Sequence, residues 1–110
     1  MSSAAIDGNN VQNFKIQDIE IINSQIGFAF SSSGHGVIER AQVSRSKLRG
    51  GLVGPGFHVR DGLFINNGLE GLVGGYCSRN VLRDNGDLGG SPEQACDVLM
   101  DTNYCNNLPC

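Results

Sequence analysis

The chain has 110 residues, of which 16 are glycine, 3 proline and none tryptophan, with 39% hydrophobic, 6% aromatic and 17% charged residues. That is apolar material for one domain; glycine at roughly twice its usual share of about 7%, in no G-X-Y register, excludes collagen, and the modest charge excludes a highly charged disordered tail. A formal charge of −3 and a pI near 5.1 argue against nucleic-acid or anionic-membrane partners, and no apolar run approaches the roughly 18 residues of a membrane span.

The first residues, Met1-Ser2-Ser3-Ala4-Ala5-Ile6-Asp7, carry neither the basic nor the apolar stretch of an export signal. Ile6-Asp7-Gly8 reads as the tail of a preceding coil, and an open N-terminal face predicts end-to-end self-association or missing upstream coils. Three segments then repeat, at 16–26, 38–48 and 59–69, and a fourth at 78–86 matches once the equivalent of Gly62 is deleted. A shorter match lies between them: Gly27-Phe28-Ala29-Phe30, Gly51-Leu52-Val53 and Gly71-Leu72-Val73. Apolar residues alternate within each copy and Gly, Asn, Ser or Pro bound every run, which is strand spacing.

The same motif recurs in the same direction, so its copies stack in parallel rather than pairing as hairpins. Residues 1–90 are therefore expected to form an all-β parallel solenoid of about four coils. Three interior stacks follow: Ile16, Ile38 and Val59; Ile21, Val43, Phe64 and Leu82; and Ile26, Leu48 and Leu69. Residues 91–110 are expected to be a cap. Ser91-Pro92 reads as a helix start, followed by a short helix or turn, and Val98-Leu99-Met100 folds over the last coil.

Certain runs resemble a known group. Gly51-Leu52-Val53-Gly54-Pro55-Gly56 with Val59 and Asn66-Asn67-Gly68, and again Val81-Leu82-Arg83-Asp84-Asn85-Gly86, are similar to the coil consensus of right-handed parallel β-helix repeat proteins, the pectate-lyase-like group. The resemblance spans roughly 11–90 and implies a single-stranded right-handed parallel β-helix, here a C-terminal segment. It says little about chemistry, because that architecture serves lyases, hydrolases, epimerases, binding modules and scaffolds alike. A leucine-rich repeat shares the period but not the spacing of its leucines.

Stacking turns polar positions into columns. Asp18, Arg40, Asp61 and Asn80 form one and Gln17, Glu39, Arg60 and Arg79 another, each a salt-bridge ladder on an outer face. The functional alternative is a strip binding an acidic polysaccharide through Arg60, Arg79, Glu39, Arg40 and Asp61, with an anion between the stacked Arg60 and Arg79. Asn23, Arg45, Asn66 and Asp84, beside Ser24, Ser46, Asn67 and Asn85, lie at a turn. The residues Asn23, Asn66, Asn67, Asp84 and Asn85 are expected to be a structural ladder.

Catalytic signals are thin. Asp18 with Glu39 or Glu20 could space two carboxylates as glycosidases require, and His35 with His58 could fall one rung apart as an acid/base or metal pair. No R-x-P-x-x-R, G-x-S-x-G or H-E-x-x-H arrangement occurs, so no catalytic residue, cofactor or metal is assigned. Cys77, Cys96, Cys105 and Cys110, at spacings of 19, 9 and 5, lack the C-x₂-C pairs of a zinc site. They fit a disulfide-linked end, with Cys105–Cys110 closing a small loop and Cys77–Cys96 tying the end to the fourth coil, against free thiols as the alternative and with the connectivity open. Disulfides favour an extracellular or periplasmic setting. The expected function is a non-catalytic scaffold or carbohydrate-binding segment of a larger exported protein; the alternative is a carbohydrate-active enzyme, or its truncated relic, acting on an acidic polysaccharide.

Overall fold

The computed structural model describes residues 4–9, 11–30, 34–86 and 93–110. Among them the strands are, in chain order, β1 (Ala4–Gly8), β2 (Gln12–Ile22), β3 (Ile26–Phe30), β4 (His35–Ser44), β5 (Gly51–Val53), β6 (Phe57–Arg60) and β7 (Leu63–Ile65). There follow β8 (Leu72–Val73), β9 (Tyr76–Ser78), β10 (Val81–Arg83), β11 (Gln94–Ala95), β12 (Val98–Met100), β13 (Tyr104–Cys105) and β14 (Leu108–Pro109). The molecule is a parallel β-solenoid of about four turns, with no helix among the described residues.

Each coil has three faces. One is the sheet β1-β3-β5-β8-β11. The second contains the first halves of β2 and β4, then β6, β9 and β12; the third contains their second halves, then β7, β10 and β13. Every pairing is parallel except that of β14, which lies antiparallel on β13. The second and third faces meet at a corner whose residues all have positive φ: Asp18, Arg40, Asp61, Arg79 and Asp101. A second such column, Asn23, Arg45, Asn66, Asp84 and Asn106, ends the third face. One left-handed residue turns the strand without breaking the rung-to-rung ladder.

Ile16, Ile38 and Val59 stack as expected, and the column continues through Cys77 to Leu99. So do Ile21, Val43, Phe64 and Leu82. Leu48 and Leu69 lie on neighbouring rungs, joined by the Leu69 N–H to the Leu48 carbonyl, but with Ile26 they are only half-buried. The remaining interior belongs to phenylalanine. Phe14, Phe28, Phe30, Phe57 and Phe64 form a chain of ring contacts with centroids 5.1–6.3 Å apart.

Glycine makes room for those rings. Gly36 lies in register between Phe14 and Phe57, and Gly51 between Phe28 and Leu72. A Cβ on Gly51 would sit 2.4 Å from the Phe28 ring.

Two expectations need correction. The fourth repeat is not shortened at the equivalent of Gly62. Leu52 pairs with Val73, 21 residues on, but His58 pairs with Tyr76, only 18 on, so the loss is of Gly54-Pro55-Gly56 at the preceding turn. There Gly74 and Gly75, at φ +86° and +71°, make the tighter bend. The second correction concerns the end. The predicted cap is another coil: β11, β12 and β13 continue the three faces in register, with no helix among the described residues. Ser91 and Pro92 lie outside those residues. Cys77–Cys96 and Cys105–Cys110 are disulfides, the first tying this last coil to the one beneath it and the second closing the β13–β14 turn.

Candidate functional site

The positive-φ corner between the second and third faces carries a charged residue at every rung. With the register corrected, its column reads Asp18, Arg40, Asp61, Arg79, Asp101, alternating in sign at every rung. Arg40 donates through Nε to Asp18 Oδ1 at 2.5 Å and through Nη2 to Asp18 Oδ2 at 3.0 Å. Arg79 reaches both ways: Nε to Asp61 Oδ1 at 2.8 Å, Nη2 to Asp61 Oδ2 at 3.2 Å, and Nη1 to Asp101 Oδ2 at 2.8 Å. Bidentate pairs of this kind hold both side chains in one orientation.

Glu39, one residue before the corner, is the buried acid of the group, 9% exposed. Arg60 Nε and Arg40 Nη1 each approach it to 2.7 Å, and Lys15 Nζ to 3.4 Å. The pKa shifts follow the contacts. The Arg40 hydrogen bond holds the Asp18 carboxyl below its ordinary value, Arg60 does so for Glu39, and Arg79 for Asp61. Arg40 and Arg79 are raised in turn, chiefly by Asp18 and Asp61. These acids are held ionised, which unfits them as proton donors.

Arg60 and Arg79 are not stacked. Arg60 is in register with Ser78, and Arg79 with Asp61, so the anion site expected between two stacked guanidiniums is absent. Asn80 is likewise not in the corner column. It is fully buried one position further, where its Oδ1 accepts from the Gly62 N–H and its Nδ2 donates to the Val59 carbonyl. A spacing rule treats Asn as an outward polar residue; the buried amide, bonded on every side, defeats that rule.

Two open clefts lie in line beside the corner. The first, about 550 Å³, is lined by Asp18, Glu20, Arg40, Gln42, Asp61 and Leu63. The second, about 520 Å³, is lined by Arg79, Val81, Asp101, Thr102 and Tyr104. Repeat spacing alone singles out neither Gln42 nor Tyr104; both follow from the column Glu20, Gln42, Leu63, Val81, Tyr104 once the register is right.

The asparagine ladder is a separate feature. Asn67 and Asn85 are buried and bonded, Nδ2 to Oδ1 at 2.8 Å, and Glu93 receives the Asn85 amide at its end. Asn80 and Asn103 make a parallel second ladder. Asn23, Asn66 and Asp84 are exposed corner residues outside both ladders. The histidines do not meet as a pair on adjacent rungs: His58 is in register with Val37 and stacks on Tyr76 at 4.8 Å, while His35 bonds Asn13. Among the described residues no group of His, Cys, Asp or Glu is placed to hold a metal ion.

A scan against protein-family models finds no match, and searches of curated proteins and of solved structures find none either.

Proposed function

We propose that this chain is a non-catalytic β-solenoid scaffold of the pectate-lyase-like architectural type, part of an exported protein. The observation that carries this reading is the state of the acids. Asp18, Glu39, Asp61 and Asp101 are each bonded to one of the three arginines Arg40, Arg60 and Arg79, so these acids serve a ladder of ion pairs rather than a catalytic carboxylate pair. The two disulfides support an oxidising compartment. Incubation with polygalacturonate and with neutral polysaccharides should release neither unsaturated products nor new reducing ends. Turnover abolished by Glu20→Gln or Asp18→Asn would overturn the proposal in favour of an enzyme.

A second reading is favoured by the two clefts that follow the corner. A saccharide chain laid along the solenoid axis meets a carboxylate and a guanidinium on alternate rungs, with Leu63 and Val81 as apolar floor. A glycan array with wild type, Arg40→Ala and Arg79→Ala tests it. Binding lost in both variants supports this reading, and binding unchanged in both removes it.

A further inference from the structure

Among the described residues β12 is an edge strand of its sheet. Val98, Leu99 and Met100 are 41%, 42% and 41% exposed, although Leu99 occupies the column that is interior at Ile38, Val59 and Cys77. Two residues beyond Leu99, Asp101 accepts from Arg79 and from the Ser78 hydroxyl, both through Oδ2. A rung added over β12 would therefore set an aliphatic residue on Leu99 and, two residues later, meet an acid at the corner. One rung of this chain has that form, Ile38-Glu39-Arg40, and the rung beneath β12, Cys77-Ser78-Arg79, sets its arginine at the same corner two residues after an interior residue.

We infer that β12 is a docking edge for an extended segment of another polypeptide, added in parallel and bearing an aliphatic-x-Arg sequence. The backbone of β12 supplies the ladder, Leu99 the apolar contact and Asp101 the charge. A second copy of this chain fits poorly. Its β2 would set Asp18 over Asp101, acid on acid. β2 also runs unbroken across the corner, whereas β14 already occupies the neighbouring edge of β13. This inference stands apart from the scaffold reading and does not depend on it.

The test is a titration of the ¹⁵N-labelled protein, followed by NMR, with a blocked peptide of the sequence Gly36–Gln42 and with the same peptide carrying Arg40→Asp. The arginine peptide is expected to shift the Val98, Leu99 and Met100 amides and to bind about tenfold more tightly than the aspartate peptide. Asp101→Asn should abolish that preference, and Asp101→Arg should invert it. Circular dichroism confirms that each variant is folded, and Arg40, Arg45 and Arg79 already show that arginine is accommodated at such a φ. Equal binding of the two peptides, or no shift of β12 at millimolar peptide, would overturn the inference. So would concentration-dependent shifts of β12 and β2 in the protein alone, which would make the occupant a second copy.

Discussion

At the scale of single residues, the corners are where backbone conformation overrides side-chain type. Asp18, Arg40, Asp61, Arg79 and Asp101, and likewise Asn23, Arg45, Asn66, Asp84 and Asn106, hold φ between 52° and 62°. Asn and Asp tolerate this region because their short polar side chains bond locally; arginine does not share that relief and is held by its place in the ladder. Arg45 makes a useful probe, since it is exposed at φ 57°. Arg45→Val should cost about 1–2 kcal/mol in urea denaturation, whereas Arg45→Gly should fall within about 0.5 kcal/mol of wild type. Asn67 is the opposite case. It is fully buried, and its Oδ1 takes the Ser46 N–H while its Nδ2 donates to Asn85. Asn67→Ala leaves that backbone donor unmet and should destabilise by about 2–4 kcal/mol on the same measurement.

At the scale of elements, glycine and phenylalanine are paired across rungs. Glycine enrichment by itself suggests turns, yet among the described glycines only Gly74, Gly75 and Gly86 have positive φ. Gly50 and Gly51 serve close approach instead: a Cβ on Gly50 would lie 2.4 Å from the Gly71 carbonyl oxygen. Gly51→Ala must displace the Phe28 ring and should lose about 1–3 kcal/mol, seen as a fall in Tm. The corner ladder adds a dependence on pH. Asp18, Glu39 and Asp61 have folded pKa values below their unfolded ones. Their contribution is therefore complete above the unfolded values near 4 and is lost as pH falls through the lower folded ones. Stability measured from pH 7 downward should hold until about pH 4 and then decline. An Arg79→Gln variant should show a shallower decline, because Asp61 then titrates nearer its ordinary value.

Over the whole molecule, the two disulfides act on different scales. Cys77–Cys96 spans 19 residues and joins the last coil to the rung beneath, while Cys105–Cys110 spans only 5 and secures β14 against β13. Loop-closure entropy predicts that losing the first costs about 3 kcal/mol and losing the second about 2. Cys77→Ala/Cys96→Ala should accordingly lower Tm more than Cys105→Ala/Cys110→Ala. Hydrogen exchange should show the first pair of substitutions loosening β11 and β12 while β4 and β7 stay protected, because coils contact only their neighbours.

The sequence alone determined the repeat, its parallel stacking and the columns headed by Ile16 and Ile21. All follow from local period and spacing, which survive in one dimension. The cysteine pairings that the sequence suggested were decided by the tertiary structure. What it misplaced was the register where coil length changes. Residue matching put the deletion at the equivalent of Gly62, and only the pairing of His58 with Tyr76 shows that the turn at Gly54-Pro55-Gly56 contracted instead. That one choice moved Arg79 from beside Arg60 to beside Asp61, and Asn80 from the surface to the interior. The physical reason is that a side chain's partner in a solenoid lies a whole coil away, so three residues lost at one turn change the neighbour of every residue after it until the coil length is restored.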